Sequence, residues 1–291
     1  MKTAIVTDSS AYLSDQQVRE NDIIVVPITV IFGQETFLEN IDIDDQLFHE
    51  KLQTSGLMPS TTQITLGQMQ EVFDKLIAEN YDEVICIHLS SGITSFIENL
   101  TEYAKGITEI NVLPFDSRMT SQGEANMVLL AAKLRREGKT GTEIIPYLKH
   151  LRETTKVDFM VDNLSFLMRS GRITNRSAIM GNLLRIKPIL DMDEKGRIVI
   201  QSKERTRKRA LQKVLDNLHS DLDRGEDEYR VSIIYGVDHD LSAKWEETIQ
   251  QEFPAAKFES NQLGPVIMSH TGEEIVGVIW GKDWEKIKID E

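Results

Sequence analysis

The strongest constraint on this chain is a unit repeated through its first half: a short apolar run, then small hydroxyl residues, then a stretch with helical spacing. Thr3–Thr7 (TAIVT) runs into Asp8-Ser9-Ser10. Glu83–Leu89 (EVICIHL) runs into Ser90-Ser91-Gly92-Ile93-Thr94-Ser95, with a helical pattern over Ile93–Ala104. Ile110–Phe115 (INVLPF) runs into Asp116-Ser117, with a helix over Met127–Leu134 behind it. Strands that alternate with helices re-enter a sheet in the same direction, so this rhythm predicts a mostly parallel sheet covered on both faces. Ile23–Phe32 (IIVVPITVIF) is a further β-branched run. Its proline cannot donate to a ladder, so it reads as an edge or bent strand. Asp44–Leu52 and Leu66–Ala78 are helical; the second carries Leu66, Met69, Val72, Phe73, Leu76 and Ile77 at helical intervals.

The rhythm changes near residue 155. Val157–Val161 is strand-like. Lys187–Met192 and Arg197–Gln201 flank Asp193-Glu194-Lys195-Gly196, a hairpin signal. A helix over Arg207–Leu222, a strand over Tyr229–Tyr235, a helix over Trp245–Glu252 and a last strand over Ile275–Trp280 follow. The expected fold class is therefore α/β with two α/β domains. Residues 1–155 form the N-terminal, mostly parallel, doubly wound sheet, and residues 156–291 form a smaller C-terminal α/β sandwich.

Composition serves to exclude. The chain carries 33 basic and 47 acidic residues, a net charge of −14, and a surface of that sign repels nucleic-acid phosphates. The one cysteine, Cys86, cannot form an internal disulfide or a cysteine-rich zinc site, which suits a reducing compartment and a cytoplasmic location. No apolar run approaches a membrane span, and the N-terminal run is too short for a secretory signal. The expectation is no stable membrane insertion and at most transient membrane contact. Enzyme templates also fail: no dinucleotide fingerprint, no metal-ligand spacing, no nucleophile elbow. Gly138-Lys139-Thr140 imitates the end of a phosphate loop but lacks its first glycine, and reads as a surface turn.

What remains is the hydroxyl clusters after strand ends, at Asp8-Ser9-Ser10, Ser60-Thr61-Thr62-Gln63, Ser90 to Ser95, and Asp116-Ser117. Each alone reads as a helix cap. Together at one sheet edge they suit an anion such as a carboxylate or phosphate, because ligands of open α/β sheets bind beyond the strands' carboxyl ends.

Six segments in order resemble one family. They are Val6-Thr7-Asp8-Ser9-Ser10; Pro59-Ser60-Thr61-Thr62-Gln63; Leu89 to Thr94; Asp116-Ser117 with Ser121-Gln122-Gly123; Phe159 to Ile173, ending Ser170-Gly171-Arg172-Ile173; and Leu183 to Leu190 (LLRIKPIL). The chain resembles the DegV family, bacterial fatty-acid-binding proteins that serve fatty acid kinase. The resemblance implies a long-chain fatty acid, such as palmitate, buried between two domains. It implies a carboxylate held by Thr61 and Thr94 with His270 beside it, and with Thr62, Ser91, Ser95 and Phe96 adjacent. It implies no cofactor, no metal and no catalytic residue in this chain, and a fatty acid kinase protein as partner, with the product entering phospholipid synthesis. Thr94 stands where the family has serine, and Ser95-Phe96 where it has Gly-Thr.

The energetics of such a ligand follow from its chemistry. Palmitate has about 14 methylenes, each worth roughly 0.8 kcal/mol on burial, about 11 kcal/mol in all. Association costs about 4 to 15 kcal/mol, so tight binding needs a slot formed in advance. Candidate walls are Phe96, Ile97, Phe159, Phe166, Leu167, Met168, Ile179, Met180, Leu183 and Leu184, most of them equally suited to an ordinary core. A basic segment, Arg169, Arg172, Arg176, Arg185 and Lys187 followed by Lys203, Arg205, Arg207, Lys208 and Arg209, reads either as a solvated, ion-paired face or as a docking surface for an acidic partner. Arg172, Arg169 and Arg205 are the docking candidates. The competing reading is a small-molecule hydrolase or phosphotransferase using Asp8, Ser9 and His270.

Overall fold

The computed structural model describes residues 1–174, 186–222 and 228–288. Arg176, Ile179, Met180, Leu183, Leu184 and Arg185 lie outside the described residues. The first sheet consists of β1 (Thr3–Asp8), β2 (Ile23–Val26), β6 (Glu83–His88) and β7 (Asn111–Asp116), all parallel, in the order β2-β1-β6-β7. Every residue of β1 and β6 is buried, which is why these strands are apolar without alternation.

The run Ile23–Phe32 forms two strands in two sheets. Pro27 has a fixed φ and no N–H, so the ladder stops at Val26. The chain then turns into β3 (Thr29–Phe32), which pairs antiparallel with β4 (Glu35–Leu38) and β5 (Ser60–Thr62). Segment 60–62, read from sequence as the lead into a helix, is thus a strand, with Thr61 opposite Val30. The sequence pattern also leaves out α1 (Asp15–Glu20), while α2 (Asp45–Thr54) and α3 (Leu66–Ala78) fall where expected. Helix α4 (Phe96–Ala104) starts three residues later than its spacing suggests, because the N–H groups of Ile93 and Thr94 both turn back to the Ser90 carbonyl.

Helix α5 (Ser121–Arg136) is buried almost throughout. It packs on β1 and β6 of the first sheet and on β11 (Tyr229–Tyr235) and β13 (Val276–Lys282) of the second. A helix between two sheets must be small or apolar all round, and the run Ala125 to Ala132 is, apart from Asn126. The next helix, α6 (Gly141–Thr154), starts at Thr140, whose hydroxyl accepts from the Glu143 N–H in a capping box. Gly138-Lys139-Thr140 is therefore the expected turn.

The second sheet has six strands, β8 (Lys156–Met160), β9 (Lys187–Met192), β10 (Ile198–Glu204), β11, β12 (Lys257–Gln262) and β13, in the order β10-β9-β8-β13-β11-β12. Only β11 and β12 run parallel. Helices α8 (Arg207–Asp221) and α9 (His239–Glu252) pack on it, and the short α7 (Ser165–Ser170) and α10 (Pro265–Thr271) touch each other. The hairpin β9–β10 turns at Asp193 to Gly196 as its sequence indicates, with Gly196 at φ +66°. Its tip meets the loop after β6: the Ser90 hydroxyl donates to the Gly196 carbonyl at 2.8 Å. A Cβ on Gly92 would sit 2.2 Å from that carbonyl oxygen, so a side chain at 92 would push the two halves apart.

Candidate functional site

Beyond the carboxyl ends of β1 and β6 lies a partly polar cavity of about 80 Å³. Its walls include Asp8, Thr61, Gln63, Thr94, Phe96, Arg172 and His270. It shares Ile93, Arg172, Ile267 and His270 with a narrow, mainly apolar slot of about 50 Å³ that runs between the halves past Phe159, Leu167, Ile198, Ile234, Leu263, Ile275 and Ile279. A partly polar pocket beside an apolar slot suits a ligand with one polar end and an apolar body.

Strand β5 positions Thr61 and α10 positions His270, and the two meet with Thr61 Oγ1 2.7 Å from His270 Nε2. His270 Nδ1 is buried without a partner. Burial first, then the nearby charges of Arg172 and Arg169, lower the His270 pKa to about 4, so the ring is neutral near pH 7. Either tautomer leaves a donor free. If the Thr61 hydroxyl donates to Nε2, the proton sits on Nδ1; if Nε2–H donates, the Thr61 hydroxyl proton is uncommitted.

Thr94 stands in the loop between β6 and α4, where its hydroxyl donates to the Gln63 side-chain oxygen at 3.0 Å. Ser95 donates to the same oxygen at 3.2 Å, and the Thr94 hydroxyl accepts from the Phe96 N–H at 3.3 Å. Gln63 is the residue that sequence reasoning left without a role, although it stands two positions past Thr61 in the hydroxyl cluster. Phe96 packs its ring edge-on against His88, with centroids 4.8 Å apart.

Arg172 is half-buried and lines both the cavity and the slot, with one N–H donating to the Ser170 carbonyl at 2.6 Å. Desolvation pushes its pKa down, yet a guanidinium remains charged at any ordinary pH. The opening is thus faced by a cation and not by alcohols alone. Arg169 is exposed and donates to the Pro59 carbonyl at 3.0 Å, and Arg205 is exposed. Lys187 is paired with Asp162, and Arg207 with Asp238 and Glu274.

The remaining expected neighbours lie elsewhere. Thr62 is exposed and donates to the Gln63 carbonyl. Ser91 is held by Asp116, through its N–H at 3.1 Å and its hydroxyl at 2.6 Å. Of the suggested walls, Phe159 and Leu167 line the slot. Ile97 is buried in the general core, and Met168 packs on that core. Phe166 lies beneath the Arg169 guanidinium.

Asp8, Ser9 and His270 form no catalytic relay. Both oxygens of Asp8 are committed, one to the Ser10 N–H and hydroxyl at 3.0 and 2.6 Å, the other to His88 Nδ1 and the Leu89 N–H, each at 3.0 Å. Burial acts to raise the Asp8 pKa, but these donors outweigh it and hold the carboxyl below its ordinary range. The Ser9 hydroxyl accepts from the Ile28 N–H at 3.1 Å, and His270 is joined to Thr61 instead. No group of three or more acidic, histidine or cysteine side chains among the described residues could hold a metal. No helix among them is long and apolar enough to cross a membrane.

Protein DegV of Bacillus subtilis is 34% identical over 281 residues, spanning 96% of this chain and 99% of the relative. The crystal structure of that organism's DegV, described as a fatty acid binding protein, superposes with a TM-score of 0.88 at 33% identity, covering 97% of this chain and 99% of the other. A fatty acid binding DegV family protein from Streptococcus agalactiae gives a TM-score of 0.90 at 29% identity, with the same coverage. The family model for an uncharacterised protein of the DegV family matches residues 2–283, and this chain belongs to that family.

Proposed function

We propose that this chain binds a long-chain fatty acid, with its carboxylate at Thr61, Thr94, His270 and Arg172 and its tail in the slot between the halves. The observation that carries this reading is that two cavities adjoin: His270 and Arg172 line both, which sets a partly polar pocket beside an apolar slot, as one ligand with a polar end and an apolar body requires. A carboxylate leaving water needs donors in place, or its desolvation offsets the gain from the tail. Arg172 and the free donor of the Thr61–His270 pair meet that need, and the Thr94 hydroxyl adds to them where the ligand displaces Gln63. The likeness to relatives described as fatty acid binding adds support.

In this proposal the chain has no catalytic chemistry of its own. It presents the carboxylate to a fatty acid kinase protein in the cytoplasm, and the acyl phosphate passes on to phospholipid synthesis. Residues 1–155 and 156–291 act as two domains closing on the ligand. The exposed Arg169 and Arg205 are the contacts for an acidic partner, while Arg172 serves the ligand from the cavity wall. The test is denaturing extraction of the purified protein followed by mass spectrometry. A stoichiometric long-chain acid supports the proposal; a clean extract, with no uptake of added palmitate, overturns it.

A further inference from the structure

Resting on the fatty-acid reading, we infer that the slot takes an acyl chain bearing an oxygen substituent, a hydroxyl or ketone, recognised by Ser121 at the start of α5. Three observations converge. Ser121 is completely buried and lines the slot, yet its hydroxyl has no hydrogen-bond partner. A buried hydroxyl without a partner is costly, and such groups are rare in folded chains. Its backbone sits at φ +52°, a left-handed conformation that serine seldom adopts and that concentrates at functional sites. Finally, α5 begins at this residue without a side-chain cap. Thr120, the capping residue, makes no capping bond, and its hydroxyl reaches to the Ser10 carbonyl at 3.4 Å instead. The 16-residue helix thus brings its positive end and an unused hydroxyl to the wall of the slot.

That point belongs to the tail and not to the head group. Ser121 lines the slot but not the polar cavity, whereas His270 and Arg172 line both. Its chain neighbour Met119 lines the slot and also a larger polar cleft on the other side, together with Val157 and Met192. Ser121 therefore lines the part of the passage assigned to the tail. A plain methylene there leaves the hydroxyl unpaired; an oxygen on the chain accepts from it.

The experiment is displacement of a fluorescent long-chain acid from the full chain by stearate and by three monohydroxystearates, with the hydroxyl beside the carboxyl, at mid-chain, or at the ω end. The parent protein should tolerate or prefer one of the two deeper isomers. Ser121→Ala should weaken that isomer relative to stearate by about three- to tenfold and leave the others unchanged. Ser121→Gly, which suits the positive φ, repeats the test without risk to folding. Equal penalties for all three isomers, or unchanged ratios in both variants, would overturn the inference. Failure of stearate itself to displace the probe would instead overturn the fatty-acid reading.

Discussion

Removing the Thr61 hydroxyl while keeping its shape tests the head-group site most directly. In Thr61→Val the volume on β5 is retained, so the local packing of the three-stranded sheet has no reason to change. What is lost is the 2.7 Å contact to His270 Nε2, and with it the proton that one partner or the other offers a carboxylate. His270 Nδ1 already has no partner, so the variant leaves both ring nitrogens unsatisfied. A buried carboxylate short of one donor costs about 1–3 kcal/mol, which is about 5- to 150-fold in affinity. Thr94→Val should cost less, because the Thr94 proton is already given to Gln63 at 3.0 Å and a ligand must compete for it. By the same reasoning Gln63→Ala frees that proton and should not weaken binding. Displacement of a fluorescent long-chain acid measures all three. Affinity within twofold of the parent for Thr61→Val, and also for the double Thr61→Val/Thr94→Val variant, would refute the assignment.

The other predictions concern charge, pH and the joint between the halves. Arg172→Met keeps the length of the wall but removes its cation, and should weaken carboxylate binding by about tenfold or more while leaving binding of the matching long-chain alcohol nearly unchanged; equal losses for both ligands would argue against a carboxylate partner. Glu39 is buried, and burial lifts its pKa to about 7 despite hydrogen bonds from Ser9, the Val266 N–H and Tyr12. A carboxyl raised in the fold stabilises it fully below the ordinary value of 4.5, and that contribution is lost as the pH rises through about 7. Denaturant titrations should therefore show the parent losing up to about 3 kcal/mol relative to Glu39→Gln between those pH values; parallel curves would contradict this. At Gly196 a Cβ would lie 2.0 Å from the Ser90 hydroxyl at a positive φ, so Gly196→Ala should destabilise by about 2 kcal/mol or more in urea unfolding; a change under about 0.5 kcal/mol would mean that the hairpin tip does not seat there.

Local patterns were most legible where one element settles its own environment. The parallel strands β1 and β6, the helix α3 and the Asp193–Gly196 hairpin all follow from apolar runs, helical spacing and turn residues adjacent in the chain. Thr61, Thr94 and His270 came from motif resemblance, and the structure brings all three to one cavity. The pattern was blind where pairing is non-local. Ser60–Thr62 becomes a strand only because β3 lies beside it, and three residues carry no period of their own. The sequence order likewise hides that Asp8 is spent on His88, eighty residues away, and not on a nucleophile.

Thus the order of strands and helices, and the residue types able to hold an anionic head group, were set by this sequence through local sterics and hydrophobic spacing. The passage itself belongs to the tertiary structure. Arg172 becomes a cavity wall and not a surface charge because the turn after α7 brings it beside α10, and Ser121 becomes a buried, unpaired hydroxyl because α5 is enclosed between two sheets. Burial and partner choice depend on elements far apart in the chain, and no window of sequence contains both sides of such a contact.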